Sequence, residues 1–155
     1  MKRIFLVAAI LSGLAACNNA ADDGAAERKD GYSAQPASVE DSLFQQVMDG
    51  HDVAMGKMGK VKGYEDRVAK ALDSLDKVKG TGNDAVKAQY KELQQDLKQA
   101  ASGMDTWMEE FNPDSSKDSK DARLKYLQSE VDKVTKVKQD ILSSLEKADL
   151  LFPKN

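Results

Sequence analysis

Five methionines beyond the initiator, one histidine and one tryptophan are the side chains of this sequence best suited to chemistry. Met48, His51, Met55 and Met58 recur at three- and four-residue steps, so a helix through them sets all four on one face. Met104 and Met108 are one turn apart, with Trp107 between them. Thioether sulfur and imidazole suit Cu(I), and thioethers carry no proton that a metal must displace. A tryptophan beside such an ion shields it through a cation–π contact. His51, Met55, Met58, Met104 and Met108 are the candidate ligands, and any three would complete a copper(I) site. Core packing accounts for the same residues differently, because methionine fills irregular gaps and packs well on aromatic rings. Haem with His and Met axial ligands is a lesser reading: there is no Cys-x-x-Cys-His motif, and three helices leave little room.

Other chemistry finds no residues to carry it. The sequence has no nucleophile elbow, no His-Glu-x-x-His and no phosphate-binding glycine loop, and its carboxylates fall on polar faces. We therefore expect no enzyme. A single cysteine excludes an internal disulfide and multi-cysteine zinc sites, and a single histidine excludes zinc sites that need two. The 155 residues suffice for one domain, and a net charge of −3 lacks the basic stripe of a nucleic-acid binder.

The lone cysteine follows a recognisable address. Lys2 and Arg3 precede an apolar run from Ile4 to Leu14. That run is too short for a bilayer span, which needs about 20 residues, but fits a secretory signal. It ends in Leu14-Ala15-Ala16-Cys17, which resembles the lipobox of bacterial lipoproteins. The resemblance implies cleavage before Cys17, a diacylglyceryl group on its sulfur and an acyl chain such as palmitate on its new amine. Residues 1–16 are then a signal peptide, and 17–38 a lipidated cysteine and disordered tether. Rich in Ala, Asp, Asn, Gly and Ser, the tether buries too little apolar surface to offset its ordering entropy. Extended, it would reach about 70 Å. Asn18 after the cysteine favours the outer membrane over the inner one, and we expect the domain to face the periplasm.

From Val39 onward the apolar period is helical, broken only at Gly80-Thr81-Gly82-Asn83 and at Asn112-Pro113-Asp114-Ser115-Ser116. Helices are predicted over about 40–79, 84–111 and 118–151. Their stripes are Phe44, Met48, His51, Met55 and Met58, shifting to Val61, Val68 and Leu72; then Val86 to Phe111; then Leu127, Val131, Val134, Ile141, Leu145 and Ala148. A sustained 3.5-residue repeat implies coiled-coil-like packing, and short connections make sequential helices antiparallel. The expected fold is all-α, an elongated antiparallel up-down-up three-helix bundle over 39–155. Folding the first hairpin sets Met58 near residue 105, Met55 near Met108 and His51 near Phe111, with Leu124, Tyr126 and Leu127 closing that end. Gly56, Gly59 and Gly63 share a face of the first helix, which predicts close approach of another helix there; the alternative is a break near Gly59 to Gly63 giving four shorter helices, and we expect one helix.

Three blocks together resemble a family of small lipoproteins of Bacteroidetes often labelled "viral A-type inclusion protein". They are His51-Asp52-Val53-Ala54-Met55-Gly56-Lys57-Met58, Met104 to Phe111, and Tyr126 to Ala148. The chain departs from that pattern at Gly56, where the family has proline, and at Glu109, where it has histidine. The resemblance implies a lipoprotein bundle without implying an activity. Two functions stay open: a soft-metal binder, and a structural or protein-interaction module that binds a partner or itself. If Cys17 is the anchor, Cys17→Ser should leave the precursor uncut or release the domain into the soluble fraction. Processed, membrane-bound Cys17→Ser protein in a fractionation blot would refute it.

Overall fold

Serine caps open two of the three helices. In α1, Val39–Lys77, the Ser38 hydroxyl accepts from the Asp41 amide at 3.1 Å. In α3, Lys120–Leu151, Ser119 accepts from Ala122 in the same way. Each satisfies one of the amides that a helix start leaves without an intrahelical acceptor. Between them, α2 spans Asp84–Glu110 and follows a single 3-10 turn, Thr81–Asn83. The α2–α3 loop turns at Asn112, whose side-chain oxygen accepts from the Asp114 amide at 2.9 Å, and at Ser116, in the left-handed region with φ of 62°. This computed structural model describes residues 36–78 and 81–153. The signal segment, Cys17 and most of the tether lie outside the described residues. No described helix is long and apolar enough to cross a membrane.

The helices form an up-down-up bundle. His51 meets Trp107, and Asp76 pairs with Lys87, so α1 and α2 run antiparallel. Trp107 meets Glu130 and Asp96 meets Lys147, so α2 and α3 do too. α1 and α3 are therefore parallel, tied by Glu40 to Arg123 at one end and by Lys60 to Asp149 at the other. The core contains Val47, Ala54, Val61 and Val68 of α1, Leu93, Leu97, Ala100 and Met104 of α2, and Leu127, Val134, Ile141 and Ala148 of α3. The expected α2 stripe is this core, with Val86 left exposed at its start.

The expected α1 stripe holds at Phe44, Val61 and Val68 and differs between Phe44 and Val61. Val47, Gly50 and Ala54 face inward, and Met48, His51, Met55 and Met58 lie to one side of them. The reason is close packing at Gly50. A Cβ built there would stand 2.9 Å from Val134 Cγ1, so only glycine lets the two helices meet at this level. α1 is continuous through Gly56, Gly59 and Gly63, as expected, but no helix of the bundle approaches them: among the described residues a Cβ at any of the three meets nothing within 4 Å.

The end of the bundle near the first hairpin holds a buried phenol. Tyr64 donates to Asp149, which also accepts from Lys60 at 2.8 Å, and Tyr64 and Tyr90 both pack on the Phe152 ring. The hydrogen bond to Asp149, and then burial, push the Tyr64 phenol above its ordinary value.

The glycines of α1 should therefore respond oppositely to alanine. Gly50→Ala should lower stability by about 1–3 kcal/mol, since the stiff valine opposite cannot yield freely. Gly56→Ala and Gly63→Ala should each raise it by up to about 1 kcal/mol in dilute solution through helix propensity alone. Urea unfolding of the three variants checks both signs.

Candidate functional site

An aromatic ladder builds the end of the bundle opposite the first hairpin. The Trp107 ring stacks on Phe111 at 5.0 Å between centroids, Phe111 stacks on Tyr126 at 6.4 Å, and Phe44 tilts against Phe111 at 6.2 Å. His51 lies on Trp107 at 5.7 Å. It thus meets Trp107 instead of Phe111, because the larger Phe44 ring occupies the place beside Phe111. Of the residues expected to close this end, Leu127 is fully buried, and Leu124 and Tyr126 are half-buried. The Tyr126 hydroxyl accepts from the Asn112 amide at 2.8 Å, fixing the loop to α3.

Two buried charges hold this end. Trp107 Nε1 donates to Glu130 Oε2 at 3.0 Å, and Lys133 reaches the other Glu130 oxygen at 2.9 Å. Glu130 is 1% exposed, so its charge stands in a low-dielectric interior balanced by these two donors. Arg123, equally buried, donates through Nε to Glu40 and through Nη1 to the Ser115 carbonyl, each at 2.9 Å. The sequence reading passed over both. Arg123, Leu127, Glu130 and Val134 follow a four-three-four spacing, which was the available signal. Apolar Val131 beside Glu130 drew the predicted stripe one position away.

The candidate ligands divide by depth. Met104 is fully buried and belongs to the core, and Met58 packs partly buried against the same cluster. Met55 and Met108 are each 39% exposed. The α2 edge toward α3 is formed by Gln99, Gly103, Thr106 and Glu110, which line a shallow depression with Lys133 and Val137. Helical geometry places Met108 on the other edge, toward α1, where His51 and Met55 also lie. Burial explains Met58 and Met104 as core side chains. It does not explain Met55 and Met108, which stay substantially wet.

One ring nitrogen of His51 is held by the neighbouring carboxylate: Nδ1 lies 2.9 Å from Asp52 Oδ1. A carboxylate accepts, so with a neutral ring Nδ1 carries the proton and the lone pair is on Nε2. Carboxylates orient metal-ligating imidazoles in this way in many proteins. Asp52 was not among the residues read from the sequence as part of the site. Among the described residues no group of three or more His, Cys, Asp or Glu side chains is placed to hold a metal ion. A site here would rest on sulfur with one imidazole. The chain matches no family model, no curated protein and no solved structure.

The buried Glu130 pair is directly testable. Glu130→Leu should cost about 2–5 kcal/mol, since it leaves the Trp107 indole N–H without its acceptor. Glu130→Gln keeps a carbonyl acceptor and should cost less. Denaturant unfolding followed by Trp107 fluorescence ranks the two, and equal stability of both with the parent would show that the pair holds nothing.

Proposed function

We propose that this protein is a lipid-anchored component of a bacterial envelope, held at the outer membrane through Cys17 and facing the periplasm. In this reading its bundle carries a soft-cation site for Cu(I) on the seam between α1 and α2. His51, Met55 and Met108 are its accessible ligands, and Met58 lies at its inner edge. The observation that carries the reading is the Asp52 contact to His51 Nδ1, which leaves Nε2 with the lone pair, on the seam to which helical geometry assigns the partly exposed Met55 and Met108. Trp107 lies under the imidazole, where its indole face offers a cation–π contact. Neutral sulfur favours Cu(I) or Ag(I) over harder ions. The second reading is a non-catalytic interaction module without metal, and the outward glycines of α1 favour it.

The site should respond to micromolar Ag(I) with a change in Trp107 fluorescence and should ignore Zn(II). Met55→Leu with Met108→Leu should abolish that response while costing less than about 1.5 kcal/mol per site. An unresponsive parent protein would leave these methionines without a metal role, and the interaction module would stand instead.

A further inference from the structure

The methionines of the bundle stand at graded depths. Met104 is fully buried in the core, Met48 and Met58 are half-buried, and Met55 and Met108 are exposed. In a helix interior the backbone is covered by its own turns, so the exposure of Met55 and Met108 belongs to their side chains. Packing gives no reason for sulfur at either place, since leucine has much the same volume.

What sets methionine apart from leucine is a sulfur lone pair that takes up oxygen. We infer that Met55 and Met108 are sites of reversible sulfoxidation, and that oxidation there switches off the soft-cation site. The co-reactants are peroxides and hypohalous acids, two-electron oxidants that transfer one oxygen. With hydrogen peroxide the sulfur lone pair attacks one oxygen, an S–O bond forms and the O–O bond breaks. The departing hydroxide takes the proton of the transferred oxygen and leaves as water. The thioether has lost two electrons and the peroxide has gained them. A hypohalous acid transfers its oxygen likewise, and a halide and a proton leave. The sulfoxide presents a hard oxygen where a soft sulfur stood, which removes two of the three accessible ligands from Cu(I). Methionine sulfoxide reductases reverse the change, one enzyme for each sulfoxide epimer.

Depth decides the order of oxidation. An oxidant reaches Met104 only when the bundle opens, so the scarce open forms limit its rate. A sulfoxide there would set a polar group among Leu97, Ala100 and Val134 of the core. At Met55 and Met108 the added oxygen meets water, and the fold tolerates it. The switch rests on the Cu(I) reading. The order of oxidation rests on burial alone.

Timed oxidation of the full chain tests both parts. Cys17→Ser removes the thiol that would otherwise consume oxidant. In dilute hydrogen peroxide, fragment-ion mass spectrometry should show Met55 and Met108 each taking up one oxygen at least tenfold faster than Met104. The urea midpoint of the doubly oxidised chain should stay at the parent value. Its Ag(I) midpoint, read by Trp107 fluorescence, should rise at least tenfold, and the two reductases should restore it. Oxidation of Met104 as fast as of Met55 and Met108, or a lowered urea midpoint, would overturn the inference. An oxidised chain that keeps the parent Ag(I) midpoint would sink the switch while the parent's own response upheld the metal reading. A parent silent to Ag(I) before oxidation would overturn the metal reading itself, and the switch with it.

Discussion

The approach of α1 to α3 at Gly50 is the constraint on which the rest of the molecule turns. A helix has one rotational setting in a bundle, and here that setting is chosen by the missing side chain that admits Val134. Once Gly50 faces α3, Val47 and Ala54 enter the core on either side of it. His51 is then carried round to the α2 seam, beside Trp107. Gly56 and Gly63 are carried to the opposite face, into open space. Rotating α1 enough to bury its methionines would drive larger side chains into Val134 and separate the helices along their length. The small residues win because close packing over many turns outweighs the burial of a few flexible thioethers.

Buried polar contacts then lock the ends. Near the loop between α2 and α3, Arg123 gathers Glu40, Ser115 and the start of α3, while Glu130 joins the Trp107 indole to Lys133. Near the first hairpin, Asp149 gathers Tyr64 and Lys60 onto α3. Such contacts add little net stability, because desolvating a charge costs about as much as its partners return. Their effect lies in the alternatives they exclude. A slip of one turn between the helices would leave a buried guanidinium, carboxylate or phenol without its partner, at a cost of several kcal/mol.

The same rotation of α1 exposes two distinct surfaces. One is the α2 seam, where His51 lies on Trp107 with Nδ1 against Asp52, and Met55 of the same helix stays 39% exposed. The other is the outward face, where Gly56, Gly59 and Gly63 meet none of the described residues.

Much of the architecture was legible without coordinates. Helical periodicity, two punctuated breaks and short connections were enough for three helices, their order and their direction, because these follow from local propensity and chain connectivity. The α2 stripe was read correctly, since its apolar residues form a single unbroken register. The lipobox resemblance is a linear signal that lies outside the described residues. The α1 stripe was legible at Phe44, Val61 and Val68 but not between them, because methionine and histidine outweigh glycine and alanine on any hydrophobic scale. Packing counts volume as well as polarity, and only the facing valine shows that the smaller residues must lie inside. Likewise, Glu130 and Arg123 read as surface charges until Trp107, Glu40 and the Ser115 carbonyl are seen to neutralise or accept from them. The sequence by itself determined the class of fold and where each helix begins and ends. Tertiary structure alone decided which face of α1 is inside, because that choice depends on the volume left by a residue on another helix.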